Sequence, residues 1–118
     1  FVQNEKPFVG PGASLREIIM EISKKRLGAT AVVDDDGKML GVITDGDLRR
    51  MLEKRNTLDG ILAGDIMTVQ PKSIGPDALA IDALDLMRKY DITQLLVVEE
   101  GRYLGIIHLH DLVREGLI

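Results

Sequence analysis

The residues best equipped for chemistry are Thr44-Asp45-Gly46-Asp47-Leu48-Arg49-Arg50 and, later, His108-Leu109-His110-Asp111-Leu112-Val113-Arg114. Each run follows an apolar stretch, Leu40-Gly41-Val42-Ile43 in one case and Leu104-Gly105-Ile106-Ile107 in the other, so each reads as a strand passing into a helix. Open α/β structures usually hold ligands at such junctions. Thr44, as N-cap of the first helix, would stand among free backbone N–H groups at the positive end of the helix dipole, where an anion such as phosphate is favoured. Asp47, one turn in, offers a carboxylate that can accept both hydroxyls of a ribose. Gly46 permits close approach, and Arg49 or Arg50 adds positive charge. The same Thr-x-x-Asp spacing also describes a plain capping box that touches no ligand.

The second junction departs from the first, with His108 where the first copy has Thr44. Asp111 keeps ribose-type acceptance open, but a phosphate would now meet an imidazole whose charge changes near neutral pH. His108, His110 and Asp111 also admit a metal-ligand reading. Without cysteine or a second cluster it is weak, and no metal site is assigned. A third reading has the histidines and Arg114 holding an acidic sugar nucleotide, and His110 can equally face solvent.

Positioning these junctions falls to a duplicated unit. Sliding the sequence by 64 aligns residues 7–52 with 71–116 without a gap, matching Pro7 with Pro71, Leu15 with Leu79, Val33 with Val97, Gly41 with Gly105 and Asp47 with Asp111. In the first copy, Phe8-Val9 is extended and Pro11-Gly12 turns. Ser14 and Glu17 form a capping box for a helix through about Arg26, with Leu15, Ile18, Ile19 and Ile22 on its apolar face. Ala29 to Val33 and Met39 to Ile43 are strands joined by an acidic turn from Asp34 to Lys38 with Gly37 at the position tolerating positive φ, and a helix from Thr44 to about Glu53 buries Leu48, Met51 and Leu52. The second copy repeats the plan: a helix from Asp77 to Tyr90 with Leu79, Ala83, Leu84, Leu86 and Met87 inward, strands 94–98 and 103–107, and a closing helix from His108 to about Gly116. The order is β-α-β-β-α in each, giving an α+β fold with repeats at 1–54 and 65–118 and a linker at 55–64.

Composition bounds what the unit does. The 118 residues are 45% hydrophobic, enough for an ordinary core, and contain no cysteine, so neither a disulfide frame nor a thiolate metal site exists. No apolar run approaches the roughly 20 residues that span a bilayer, so no membrane partner is expected and a cytoplasmic setting follows. A net charge of −4 and 3% aromatics argue against nucleic acid. The start at Phe1, in polar sequence, suggests a piece of a longer protein. There is no nucleophile paired with a histidine and no Gly-rich Lys loop, so no catalytic residue is assigned and the fragment is expected not to be an enzyme. The turns Asp34-Asp35-Asp36 and Glu99-Glu100 read as solvated hairpin tips rather than cation sites.

The repeat of about 60 residues, the Leu-Gly-hydrophobic-hydrophobic-Thr-x-x-Asp-Leu junction, and Asp65-Ile66-Met67-Thr68 leading to Pro71 together resemble a tandem pair of cystathionine-β-synthase (CBS) domains, a Bateman module. The resemblance implies two repeats packed about a pseudo-twofold axis, with clefts that hold adenosyl or other nucleotides. It assigns the ribose to Asp47 and brings Thr68 and the strand starts Ala29-Thr30 and Thr93-Gln94 near the base, whereas Val32, Val33 and Leu95 to Val97 are expected as core. The junction sequences are similar to the C-terminal CBS pair of bacterial D-arabinose 5-phosphate isomerases, which supply the sugar Kdo for lipopolysaccharide or capsule. That implies an upstream sugar-isomerase (SIS) domain, a homodimer or tetramer, no cofactor, and a nucleotide effector of AMP/ATP or CMP-Kdo type acting by feedback. The expected site is therefore Thr44, Gly46, Asp47, Arg50, Thr68, Thr93, Gln94, His108, His110 and Asp111. Two other functions stay open: a purely structural dimerisation module with empty clefts, and a stand-alone metal or nucleotide sensor.

Overall fold

The computed structural model describes residues 6–25, 28–55 and 57–114. They form two compact units, one of residues 7–71 and one of Lys6 with residues 72–114. In the first unit the order is β1 (Phe8–Val9), α1 (Leu15–Lys25), β2 (Ala29–Val33), β3 (Met39–Thr44), α2 (Asp45–Lys54), α3 (Ala63–Ile66) and β4 (Thr68–Val69). Its sheet runs β1-β2-β3-β4, with β1 parallel to β2 and the other pairs antiparallel. The second unit holds β5 (Ser73–Ile74), α4 (Ala80–Tyr90), β6 (Gln94–Glu99), β7 (Arg102–His108) and α5 (Leu109–Arg114), with a sheet ordered β5-β6-β7. Among the described residues no helix is long and apolar enough to cross a membrane.

Each unit closes one core between its sheet and its first long helix. Ile18, Ile22, Val32 and Ile43 meet Ala13 and Ala63 in the first; Ala83, Met87, Leu95, Val97, Ile107 and Leu112 meet in the second. The Ser14–Glu17 capping box forms as expected, the Glu17 N–H donating to Ser14 Oγ at 3.2 Å. The sequence between the copies does more than connect them. Ile61 and Ala63 are buried, Ser14 bridges Leu62, and residues 63–71 pack with the first unit, where β4 becomes the fourth strand.

Several expectations need correction. Ile19 and Leu52 are about half exposed, because helical spacing carries each off the side facing its sheet, and Leu79 is exposed in extended backbone ahead of α4. Leu79, not Asp77, is the N-cap of α4, and it makes no side-chain capping bond. The helix ends expected at Arg26 and near Gly116 lie outside the described residues.

The gapless alignment of the copies also changes. Phe8 pairs with Ala31 and Ser73 with Leu96, while Ala29 pairs with Thr44 and Gln94 with His108. The offset between copies is thus 65 through the first strand, helix and second strand, and 64 from the third strand onward. The residue is lost at the hairpin tip. Val33 pairs with Met39 across a tip in which Asp34 Oδ1 accepts the Asp36 and Lys38 N–H groups and Gly37 takes φ 84°. Val98 pairs with Tyr103 across a tighter tip, where Glu100 and Gly101 both have positive φ, the two-residue turn that matches strand twist. The acidic tips are accordingly turn chemistry, with Asp35 and Asp36 in solvent.

Candidate ligand site

β3 delivers Thr44 in extended conformation, φ −109° and ψ 169°, so its backbone completes the strand while its side chain caps α2. Thr44 Oγ1 accepts the Asp47 N–H at 3.2 Å, and Asp47 Oδ2 accepts the Thr44 N–H at 2.9 Å and its hydroxyl at 3.1 Å. The capping-box reading thus describes part of the geometry. The other carboxylate oxygen reaches further: Asp47 Oδ1 accepts Arg50 Nη2 at 2.6 Å and Thr68 Oγ1 at 3.2 Å. Asp47 is buried, and a buried carboxylate persists only when its oxygens are hydrogen-bonded in this way. Arg49 is exposed and takes no part in this network.

Thr68 arrives from far along the chain because β4 crosses Gly41. A Cβ on Gly41 would lie 2.6 Å from the Thr68 carbonyl oxygen and 2.9 Å from Met67 Sδ, so the crossing needs glycine. Gly46 lies in the first turn of α2, where a Cβ would sit at ordinary contact distance, 3.4 Å and 3.7 Å, from Arg50 Nη1 and Nη2, so the guanidinium lies close beside that turn. The Asp45 N–H is taken by the Gly28 carbonyl at 3.0 Å, leaving the Gly46 N–H without a hydrogen-bond partner among the described residues. Thr44, Gly46, Asp47, Arg50 and Thr68 therefore converge at one helix N-terminus. The spacing of Arg50 from Asp47 signalled their pairing; the Gly41 crossing carried no local signal.

At the second junction the Leu109 N–H donates to the Thr93 carbonyl at 2.8 Å and Gln94 pairs with His108, which places all the residues expected there at one end of the β6–β7 hairpin. The cap is rebuilt with an imidazole. The His108 N–H donates to Asp111 Oδ2 at 2.9 Å, the His110 N–H donates to His108 Nδ1 at 3.0 Å, and the two rings meet edge-on at 4.5 Å. Among the described residues no group of three His, Cys, Asp or Glu is placed to hold a metal. The Arg114 side chain lies outside what the structure describes.

Burial pushes the His108 pKa down, the neighbouring His110 adds to that, and Asp111 opposes it. The unfolded chain takes up the proton near about pH 6.5, the folded chain only at lower pH. The stabilisation from neutral His108 is thus complete above about pH 6.5 and is lost as the pH falls through the lowered folded value. A protonated Nδ1 cannot accept the His110 N–H. Amide exchange at His110, corrected for its intrinsic rate, is expected to speed up as the pH falls below about 6.5 and through the lowered folded value. In His108→Asn, whose side-chain oxygen can accept the same N–H, that acceleration should vanish; its persistence would place the titrating group elsewhere.

Residues 2–54 and 63–117 each match the CBS domain family. The chain is 42% identical over 114 residues to the arabinose 5-phosphate isomerase KdsD of Yersinia pestis, covering 97% of this chain and 35% of the relative. It thus spans about a third of the length of that relative. Among solved structures, CBSX2 in complex with AMP superposes with a TM-score of 0.78 at 26% identity, covering 95% of this chain and 87% of the other. The CBS domain protein PAE2072 from Pyrobaculum aerophilum, complexed with AMP, gives 0.82 at 25% identity, covering 93% and 85%.

Proposed function

Because this chain belongs to the CBS domain family as a tandem pair, we propose that it is a regulatory module that binds a nucleotide or sugar nucleotide at its first strand–helix junction. The observation that carries this is the convergence of a buried carboxylate, two hydroxyl side chains, an arginine and a first-turn N–H within one unit. Asp47 accepts the ribose hydroxyls, and the phosphate lies at Thr44, the Gly46 N–H and Arg50, where dipole and guanidinium both favour an anion. The AMP complexes of two structural relatives support the nucleotide class. Thr93, Gln94, His108, His110 and Asp111 form a second, chemically different site whose imidazole makes binding pH-sensitive.

The whole protein is a cytoplasmic D-arabinose 5-phosphate isomerase serving Kdo synthesis, in which an upstream SIS domain holds the active site and this pair assembles as a homodimer or tetramer. The effector, of AMP, ATP or CMP-Kdo type, acts through its differential affinity for two arrangements of the enzyme. A structural assembly module is the second reading, favoured by the exposed Met20 and Leu52.

A thermal-shift panel with AMP, ATP, CMP, CMP-Kdo and arabinose 5-phosphate tests the choice. A nucleotide at a hundred times its Kd should add about 2.7 kcal/mol of stability and raise the melting point by several degrees. No shift from any of them, in a chain that sediments as a stable dimer, would favour assembly.

A further inference from the structure

We propose that Arg50 is a displaceable occupant of the Asp47 carboxylate, holding it while the site is empty and transferring to the phosphate when a nucleotide binds, so that the first junction selects phosphorylated over unphosphorylated nucleosides. The inference rests on the nucleotide-binding reading above.

Asp47 has no acceptor capacity to spare. Oδ2 serves the Thr44 N–H and hydroxyl, and Oδ1 serves Arg50 and Thr68. A ribose brings two hydroxyl donors and can therefore be accepted only where two of the present donors give way, Arg50 and one of the hydroxyls. The Thr44 N–H is fixed by the junction of β3 with α2, and the Thr44 and Thr68 hydroxyls are neutral donors that can yield by turning about their own bonds. Arg50 differs from both. Its side chain is 62% exposed against 8% for Asp47, so it leaves the carboxylate without being buried elsewhere and without losing a packed environment.

Its destination is already adjacent. The guanidinium lies against the bare Cα of Gly46, in the first turn whose Gly46 N–H is unpartnered among the described residues. An anion placed at that N–H meets the same guanidinium after a small rotation. The charge balance then decides selectivity. A nucleotide brings one hydroxyl pair for Asp47 and one anion for Arg50, so the broken ion pair is replaced on both sides. An unphosphorylated nucleoside supplies only the first, and it competes against Arg50 with nothing offered in return.

Calorimetric titration of this chain with AMP and with adenosine, in wild type and in Arg50→Met, tests the exchange. Because exposed pairs are weak and phosphate pairs stronger, adenosine should bind about threefold more tightly to the variant and AMP about fivefold or more weakly. The effects have opposite signs, which neither a lost surface charge nor a general loosening of the site produces. Arg50→Lys should preserve most of the preference for AMP. Equal changes for both ligands, or none, in a chain whose wild type binds AMP would overturn the exchange and leave the nucleotide reading standing. A wild type that binds neither compound would overturn both.

Discussion

Replacing Asp47 by alanine is expected to abolish AMP binding at the first junction and to lower stability by about 2 kcal/mol, a drop of roughly 8 °C in the melting point. The two effects have one cause. The carboxylate closes the cap of α2 through Thr44, ties β4 to that helix through Thr68, and is the group proposed to accept the ribose. A lost cap alone costs about 1 kcal/mol, and the Thr68 hydroxyl and Arg50 also lose a charged partner. Asp47→Asn separates the contributions. Its amide keeps one carbonyl oxygen and the side-chain volume, so more of the stability should survive than of the affinity. Titration well below the melting point, with folding followed by circular dichroism, checks both. A folded Asp47→Ala chain that still bound AMP at wild-type strength would remove the carboxylate from the site.

The second large effect is expected at Gly41, where no ligand is touched. An alanine Cβ 2.6 Å from the Thr68 carbonyl oxygen must push backbone, not a flexible side chain. Overpacking of this kind costs about 1–3 kcal/mol. Because β4 moves, Thr68 leaves Asp47, and AMP affinity should fall several-fold with it. Gly75→Ala is the matched control: nothing lies within 4 Å of its Cβ position, so its stability should stay within about 0.5 kcal/mol of wild type. Urea denaturation of the pair decides the matter, and equal midpoints for Gly41→Ala and wild type would contradict the crossing.

Local chemistry was legible in the sequence wherever one short stretch determined it. Ser14 with Glu17 and Thr44 with Asp47 form their caps as spaced, and β2 occupies the residues its β-prone run marks. Burial was less legible, because spacing along a helix does not say which partner covers each face; Ile19 and Leu52 fit the apolar pattern and stand in solvent. The offset between copies was hidden by chance identities. Pro7 with Pro71 and Leu15 with Leu79 rewarded a uniform shift, while the turn closed by the Ala13 N–H on the Gly10 carbonyl recurs as Ala78 on Gly75, one residue further along. The repeated Gly-Pro at 10–11 and 75–76 was the available signal. Thr68 entered the site by resemblance, yet its hydrogen bond to Asp47, 21 residues away in sequence, depends on the pairing of β4 with β3, and no local pattern encodes that.

The most direct test of the account is a two-dimensional amide NMR titration of this chain with AMP. Saturable shifts concentrated at Thr44, Gly46, Asp47 and Thr68, with the Gly46 amide among the largest, are the expected result. Shifts that avoid the first turn of α2, or no shifts at millimolar AMP, would contradict the claim that this junction binds a nucleotide.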